Sequence, residues 1–263
     1  MTALVPHSPL VFITGASSGI GQALALRYYQ AGWRLALQAR RVAVVAEWAQ
    51  AHKLDPARWA VYAADVVDAE AMQAAAQDCL QRQGLPDTVI ASAGVSIGVD
   101  TALAEDLPVF KQVLDTNLYG TATSFHPFIA PMCARGSGRL VGVASVAAIR
   151  GLAGHGAYCA SKAGVVAYCE ALRIECKPRG VQVVTLVPGY VDTPLTRVNN
   201  YSMPFLMKAE DFAEQSFRMI EAGTSYRVIP WQMGVVAKLM RLLPNALFDK
   251  LFSGRGRKPR AGS

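Results

Sequence analysis

The five cysteines of this 263-residue chain, Cys79, Cys133, Cys159, Cys169 and Cys176, form no Cys-x-x-Cys pair and no cysteine/histidine cluster with metal spacing. That excludes a disulfide framework and a zinc site and points to reduced, intracellular thiols. His7, His52 and His126 have no ligand spacing either, so no metal is expected. No apolar run approaches the roughly 20 residues that cross a bilayer as a helix, and no transmembrane segment is expected. The first ten residues lack a basic n-region and a long apolar core, and Pro6 and Pro9 interrupt them, so no secretory signal is expected and the cytoplasm is the expected location. Internal repeats, low-complexity segments and an interdomain linker are absent. Charged residues make up only 17% of the chain, and acid is nearly missing from its end. From Arg227 onward, Asp249 alone faces Arg227, Lys238, Arg241, Lys250, Arg255, Arg257, Lys258 and Arg260. This segment carries the net charge of +7 and the body before it is neutral, so the high pI is no argument for nucleic acid. Stacking aromatics and recognition motifs for nucleic acid are also missing.

What is present is a large apolar fraction, 52%, enough for a sizeable core in one domain. Strand-like runs recur at 10–14, 34–39, 59–63, 88–92, 138–144 and 181–187. Between them lie helical segments, among them 18–31, closed by Gly32, then 42–53 and 68–83. Six strands alternating with helices predict a doubly wound, parallel α/β sheet covered on both faces, because parallel neighbours need crossover connections. Residues 1–226 are expected to form this domain. Residues 227–263 are expected to form a basic extension of two short amphipathic helices, with Pro244 dividing the apolar stripes Val235/Val236, Leu239/Met240, Leu242/Leu243 and Ala246/Leu247, Leu251/Phe252.

Two constellations carry chemistry. In Thr14-Gly-Ala-Ser-Ser-Gly-Ile-Gly21 an apolar run stops at three glycines spaced four and two apart, then turns helical. Gly15 permits the tight turn, Gly19 lets the backbone approach a pyrophosphate, and Gly21 lets the helix pack closely on the sheet. Free amides and the positive helix end then face the anion. Further on, Tyr158 and Lys162 stand at i and i+4, on one face of a helix, with Ser145 thirteen residues upstream at the carboxyl end of a strand and Asn117 before it. A phenol has a pKa near 10, and a neighbouring ammonium and an oxidised nicotinamide ring would lower it, making Tyr158 a proton donor or acceptor near neutrality.

With these motifs the chain resembles the short-chain dehydrogenase/reductase superfamily in its compact, Rossmann-like, single-domain form, over about residues 8–195. Asp65-Val66, Ser92-Ala93-Gly94, and Pro188-Gly189 followed by Val191-Asp-Thr193 extend the resemblance. It implies hydride transfer between a nicotinamide cofactor and a carbonyl or alcohol carbon. Tyr158 would be the acid/base, Lys162 would hold the nicotinamide ribose, Ser145 would orient the substrate oxygen, and Asn117 would support a water relay. The cofactor would be held by Gly15, Ser17, Ser18, Gly19, Ile20, Gly21, Asp65, Val66, Ser92, Ala93, Gly94, Tyr158, Lys162, Pro188, Gly189, Val191 and Thr193. The family usually has asparagine where Ser92 stands, and a local rearrangement of the brace there is expected. A homo-oligomer is also implied.

Cofactor choice turns on charge after the second strand, where a carboxylate would suit NAD. This chain has Arg40 and Arg41 there and no acid, and Arg40 with Ser17 can bind a 2′-phosphate, which predicts NADP(H) and, with a reduced NADP pool, reduction. Leu195, Val198, Tyr201, Met203, Phe205 and Leu206 fill the region the family uses as a substrate lid, consistent with a lipophilic carbonyl compound or with ordinary packing. His155 is expected to be solvated and Cys159 to be a small buried hydrophobe. A 3-oxoacyl or hydroxysteroid-type substrate shares every motif, and a non-catalytic NADP-binding scaffold with a docking tail is the competing class. For the tail two readings stay open. Its stripes complete the core or an oligomer interface while its basic end is solvated, or they dock with Arg255, Arg257, Lys258 and Arg260 on an anionic membrane face.

Overall fold

In the computed structural model, described for residues 8–253 and 258–260, the first apolar run becomes strand β1 (Leu10–Thr14), whose five residues are all buried. Leu10 and Phe12 point to one side, Val11 and Ile13 to the other, the alternation a strand covered on both faces requires. The chain continues through α1 (Gly19–Gln30), β2 (Arg34–Ala39), α2 (Val42–Ala51), β3 (Trp59–Ala63), α3 (Ala69–Arg82) and β4 (Thr88–Ala91). Then follow α4 (Leu107–Leu114), α5 (Gly120–Arg135), β5 (Gly138–Val143), α6 (Gly156–Cys176) and β6 (Val181–Pro188). A short parallel pair, β7 (Val191–Asp192) and β8 (Met207–Lys208), brackets α7 (Pro194–Arg197); α8 (Ala209–Glu221), β9 (Tyr226–Ile229), α9 (Trp231–Leu242) and α10 (Asn245–Phe252) complete the order.

The main sheet has seven parallel strands in the order β3-β2-β1-β4-β5-β6-β9. It is the expected Rossmann-like, doubly wound sheet with one strand more than the six foreseen. β9 escapes the sequence because it is a four-residue edge strand whose Tyr226 and Arg227 are exposed, so it shows no continuous apolar run. It spans positions 226–229, so the segment from 227 begins inside the sheet.

Two cores sandwich this sheet. On one side Phe12 packs on Phe128 (ring centroids 4.9 Å apart) with Phe125, Met132 and Met72 from α5 and α3. On the other, Tyr28 meets Trp33 and Phe217 edge-on at 4.8 and 4.9 Å, with Leu24 and Phe212. The order reverses between β1 and β4, and at such a point the carboxyl ends of the strands open into a crevice.

The expected tail helices form, and each lays one side on the body: Met233 and Ala237 of α9 and Phe248 of α10 are buried. Arg150 locks their joint. Its guanidinium stacks over Phe248, 3.8 Å from the ring centroid, and donates to the carbonyls of Met240 and Leu243 at the end of α9. Of the basic end, Lys258 and Arg260 do not stay in solvent, contrary to one of the two expectations. Lys258 is buried and Arg260 is paired with Asp106, because both find oxygen partners on the body. Arg255 and Arg257 lie outside the described residues.

Candidate active site

The crevice at the switch point is a cavity of about 310 Å³. Its floor is the glycine corner. Gly15 turns with φ +70, and a Cβ there would lie 2.7 Å from Ala93 Cα; one on Gly21 would lie 2.3 Å from the Gly15 carbonyl oxygen. Side chains are thus excluded where β1, β4 and α1 converge. Ser18 caps α1 without a side-chain hydrogen bond, and no acidic residue lies in its first turn. The positive helix end therefore faces the cavity uncompensated, a donor set that fits a pyrophosphate. The brace between β1 and β4 runs through Thr14, whose Oγ1 accepts Ser92 N at 3.2 Å and Ala93 N at 3.3 Å.

At one end of the cavity, two arginines sit where the second strand gives way to α2. Arg40 is largely exposed and pairs with Asp65 at 3.3 Å. Arg41 donates to Ser17 Oγ at 3.1 Å and so bends over the cradle. It lines the cavity together with Arg40, and its bond to Ser17 is one that the sequence does not show. Gln38, Val95, Thr116 and Leu195 also line the cavity.

At the other end stand Tyr158 and Lys162. The Lys162 ammonium lies 5.9 Å from the Tyr158 ring centroid and donates to the Val143 carbonyl at 2.8 Å. Ser145, at the end of β5, accepts Ala147 N at 3.2 Å and hydrogen-bonds the Tyr158 hydroxyl. Asn117 lies on a π-helical turn, Asp115–Tyr119, between α4 and α5. It is buried beneath the cavity wall. Its amide donates to Val95 O and Ser161 Oγ, both at 2.9 Å, and its Oδ1 accepts Val95 N at 2.8 Å.

Of the residues expected to hold cofactor or carry catalysis, Gly15, Ser17, Ser18, Gly19, Ile20, Gly21, Arg40, Asp65, Val66, Ser92, Ala93, Gly94, Tyr158, Lys162, Pro188 and Thr193 line this one cavity. Asn117 and Ser145 sit directly behind its wall. Gly189 and Val191 face elsewhere: Gly189 lies against Met233 of α9, and Val191 belongs to the α1–α8 core.

In the chain alone, burial dominates the electrostatics of this corner. Burial pushes the Tyr158 phenol above its ordinary value, opposed by the Ser145 hydrogen bond, and burial pushes the Lys162 ammonium down to about 8. For both groups desolvation of the charged form is the largest cause of the shift.

His155 is not solvated as expected. It is buried, its Nε2 lies 3.2 Å from the Tyr201 hydroxyl, and burial lowers its pKa. Tyr201 in turn meets Tyr190 edge-on at 6.4 Å. The partner that sequence could not supply is Tyr201 of the lid, 46 residues away. Cys159 is buried, and burial raises its thiol pKa. Among the described residues no group of His, Cys, Asp or Glu is placed to hold a metal ion, and no helix is long and apolar enough to cross a membrane.

The sequence model of the short chain dehydrogenase family matches residues 9–203. An uncharacterized oxidoreductase of Myxococcus xanthus is 37% identical over 244 residues, which span 90% of this chain and 93% of that protein. The probable oxidoreductase EphD of Mycobacterium tuberculosis is 33% identical over 199 residues; these are 74% of this chain and only 33% of EphD. Among solved structures, an alcohol dehydrogenase from the archaeon Thermococcus sibiricus, complexed with 5-hydroxy-NADP, matches with a TM-score of 0.75 at 26% identity, covering 84% of this chain and 96% of that one.

Proposed function

The chain is an oxidoreductase of the short-chain dehydrogenase/reductase family, which binds a nicotinamide cofactor, and from that membership we propose that it uses NADP(H) to reduce the carbonyl group of a lipophilic compound to a secondary alcohol. The observation that carries this reading is the single cavity running from the glycine corner to Tyr158 and Lys162. When bound, the cofactor supplies the hydride. The glycine corner and the start of α1 hold its pyrophosphate, with Asp65, Val66 and residues 92–94 along the walls. Tyr158 delivers the proton to the carbonyl oxygen, Ser145 orients that oxygen through the hydroxyl it already shares with Tyr158, and Lys162 holds ribose and stabilises the phenolate left behind. Asn117 fixes the Val95 backbone beside them. Burial keeps the Tyr158 phenol protonated, the form that reduction requires. NADPH absorbance with a panel of ketones and aldehydes tests the assignment; oxidation of NADPH by none of them overturns it.

NADP(H) is favoured over NAD by the absence of a carboxylate at the end of β2 and by Ser17, Arg40 and Arg41 around that corner. Arg41→Ala is expected to weaken NADPH binding about tenfold while NADH binding stays within about twofold, since a charge-assisted bond to phosphate is lost. Equal losses for both cofactors in a fluorescence titration refute this.

Two surfaces bear on partners. Leu107, Tyr119 and Ile174 are exposed on the α4–α6 side, which suits pairing with a second copy in a homo-oligomer. The outer side of α9 carries Trp231, Val235, Leu239 and Leu242, up to 79% exposed, along one stripe with Lys238 and Arg241 beside it. We assign this stripe to peripheral contact with an anionic membrane face from the cytoplasm, with Lys238, Arg241 and Lys250 replacing Lys258 and Arg260 as the attracting charges. Sedimentation with phosphatidylglycerol vesicles should drop several-fold for Trp231→Ala/Leu239→Ser. Unchanged partitioning of that variant removes the membrane reading.

A further inference from the structure

The loop after β4 and helix α7 both contribute to the lining of the cavity, and the last described residues of the chain tie them together. The loop after β4 packs Val95, Ile97 and Val99 into a small apolar cluster that includes Tyr158. Leu195 of α7 lines the same cavity. The buried Lys258 ammonium donates to the Leu195 carbonyl at 3.1 Å and to Asn199 Oδ1 at 2.6 Å. Arg260 makes a two-pronged pair with Asp106, at 2.8 and 2.9 Å, which holds that carboxyl below the usual carboxylate range. The same carboxylate accepts Asp100 N at 2.6 Å, so it folds the loop as well as gripping the tail.

Gly98 adds an independent mark. Its amide donates to Pro259 O at 2.9 Å and it forms a parallel bridge with Arg260. A Cβ at this position would lie 2.1 Å from Lys258 O and 2.7 Å from Pro259 O. Only a residue without a side chain lets the tail lie flush against the loop, and the atoms it would meet first all belong to the tail.

We propose that residues 258–260 are a latch that positions both walls of the substrate site, 95–99 and 195–199, and thereby sets affinity for the carbonyl substrate. Lys258 and Arg260 are positioning residues in this arrangement and do not touch the reacting atoms. Walls ordered in advance spare the substrate the cost of ordering them on binding. The assignment rests on Tyr158 marking the substrate end of the cavity, and its test is chosen to be readable without turnover.

Gly98→Ala and Arg260→Lys, singly and together in the full chain, supply that test. Lysine keeps the charge and loses the fork, while alanine blocks the seat without touching any charge. Each single variant should speed hydrogen exchange in both 95–106 and 194–200. Each should also raise KM for the carbonyl substrate about tenfold, with kcat and NADPH affinity within about twofold. The double variant should be no worse than Gly98→Ala alone, because both changes open one latch. Unchanged exchange at 194–200 after Gly98→Ala, or effects that add in full, overturn the proposal. Loosened loops in a chain that reduces no carbonyl would keep the latch and remove the oxidoreductase reading of the site.

Discussion

Replacing Tyr158 by phenylalanine should lower NADPH-dependent reduction of every accepted carbonyl by about a thousandfold, the scale of a lost general acid, while NADPH binding stays within about twofold. Phenylalanine keeps the ring, so the packing of α6 against the 95–99 loop is preserved. What disappears is the hydroxyl that Ser145 bonds and the only proton of that side chain. Ser145 cannot replace it, since its own proton is far less acidic than that of a phenol. Burial raises the Tyr158 pKa, so the neutral donor persists through the physiological range, and reduction by the unmodified chain should be flat in pH from about 6 to 7 and fall as Lys162 releases its proton around pH 8. Turnover of the variant above a tenth of the unmodified chain's, with binding intact, would take Tyr158 out of the reaction.

The parts of this molecule that were legible in its sequence are those encoded by short-range spacing. The glycine corner needs only seven consecutive residues, and Tyr158 and Lys162 share a helix face by their four-residue offset. A buried parallel strand such as β1 announces itself as an unbroken apolar run, Leu10 to Ile13, whereas β9, half exposed at the sheet edge, does not. Long-range contacts leave no such trace. Arg260 meets Asp106 across 154 positions and Lys258 meets Asn199 across 59, so these two basic residues are structural elements of the body. Arg41 instead of Arg40 reaches Ser17 because of how α2 sits on the sheet, and His155 is drawn inward by Tyr201. Spacing gives the charge that neighbours Tyr158, but only the fold gives the depth of its burial.

Lys162→Met should abolish most turnover, by about a hundredfold or more, yet change stability in a direction that depends on pH. The Lys162 ammonium is buried, its named acceptor is the neutral Val143 carbonyl, and burial takes its pKa from 10.5 down to about 8. Below pH 8 the folded chain must carry this charge in a dry place, at a cost on the order of 3 kcal/mol. Between about 8 and 10.5 the folded state has released the proton and the unfolded state still binds it, so the stability of the unmodified chain rises with pH across that window. Methionine carries no proton and gains nothing there. The bond to Val143 is lost at every pH, a roughly constant penalty of about 1 kcal/mol. The stability of the variant minus that of the unmodified chain should therefore be greatest at pH 7 and fall steadily toward pH 10, measured by urea denaturation of both proteins at each pH. A difference that stays constant, or grows with pH, would mean that the lysine is not buried as a strained cation. The residue that the reaction needs would then no longer be one that the fold tolerates at a cost.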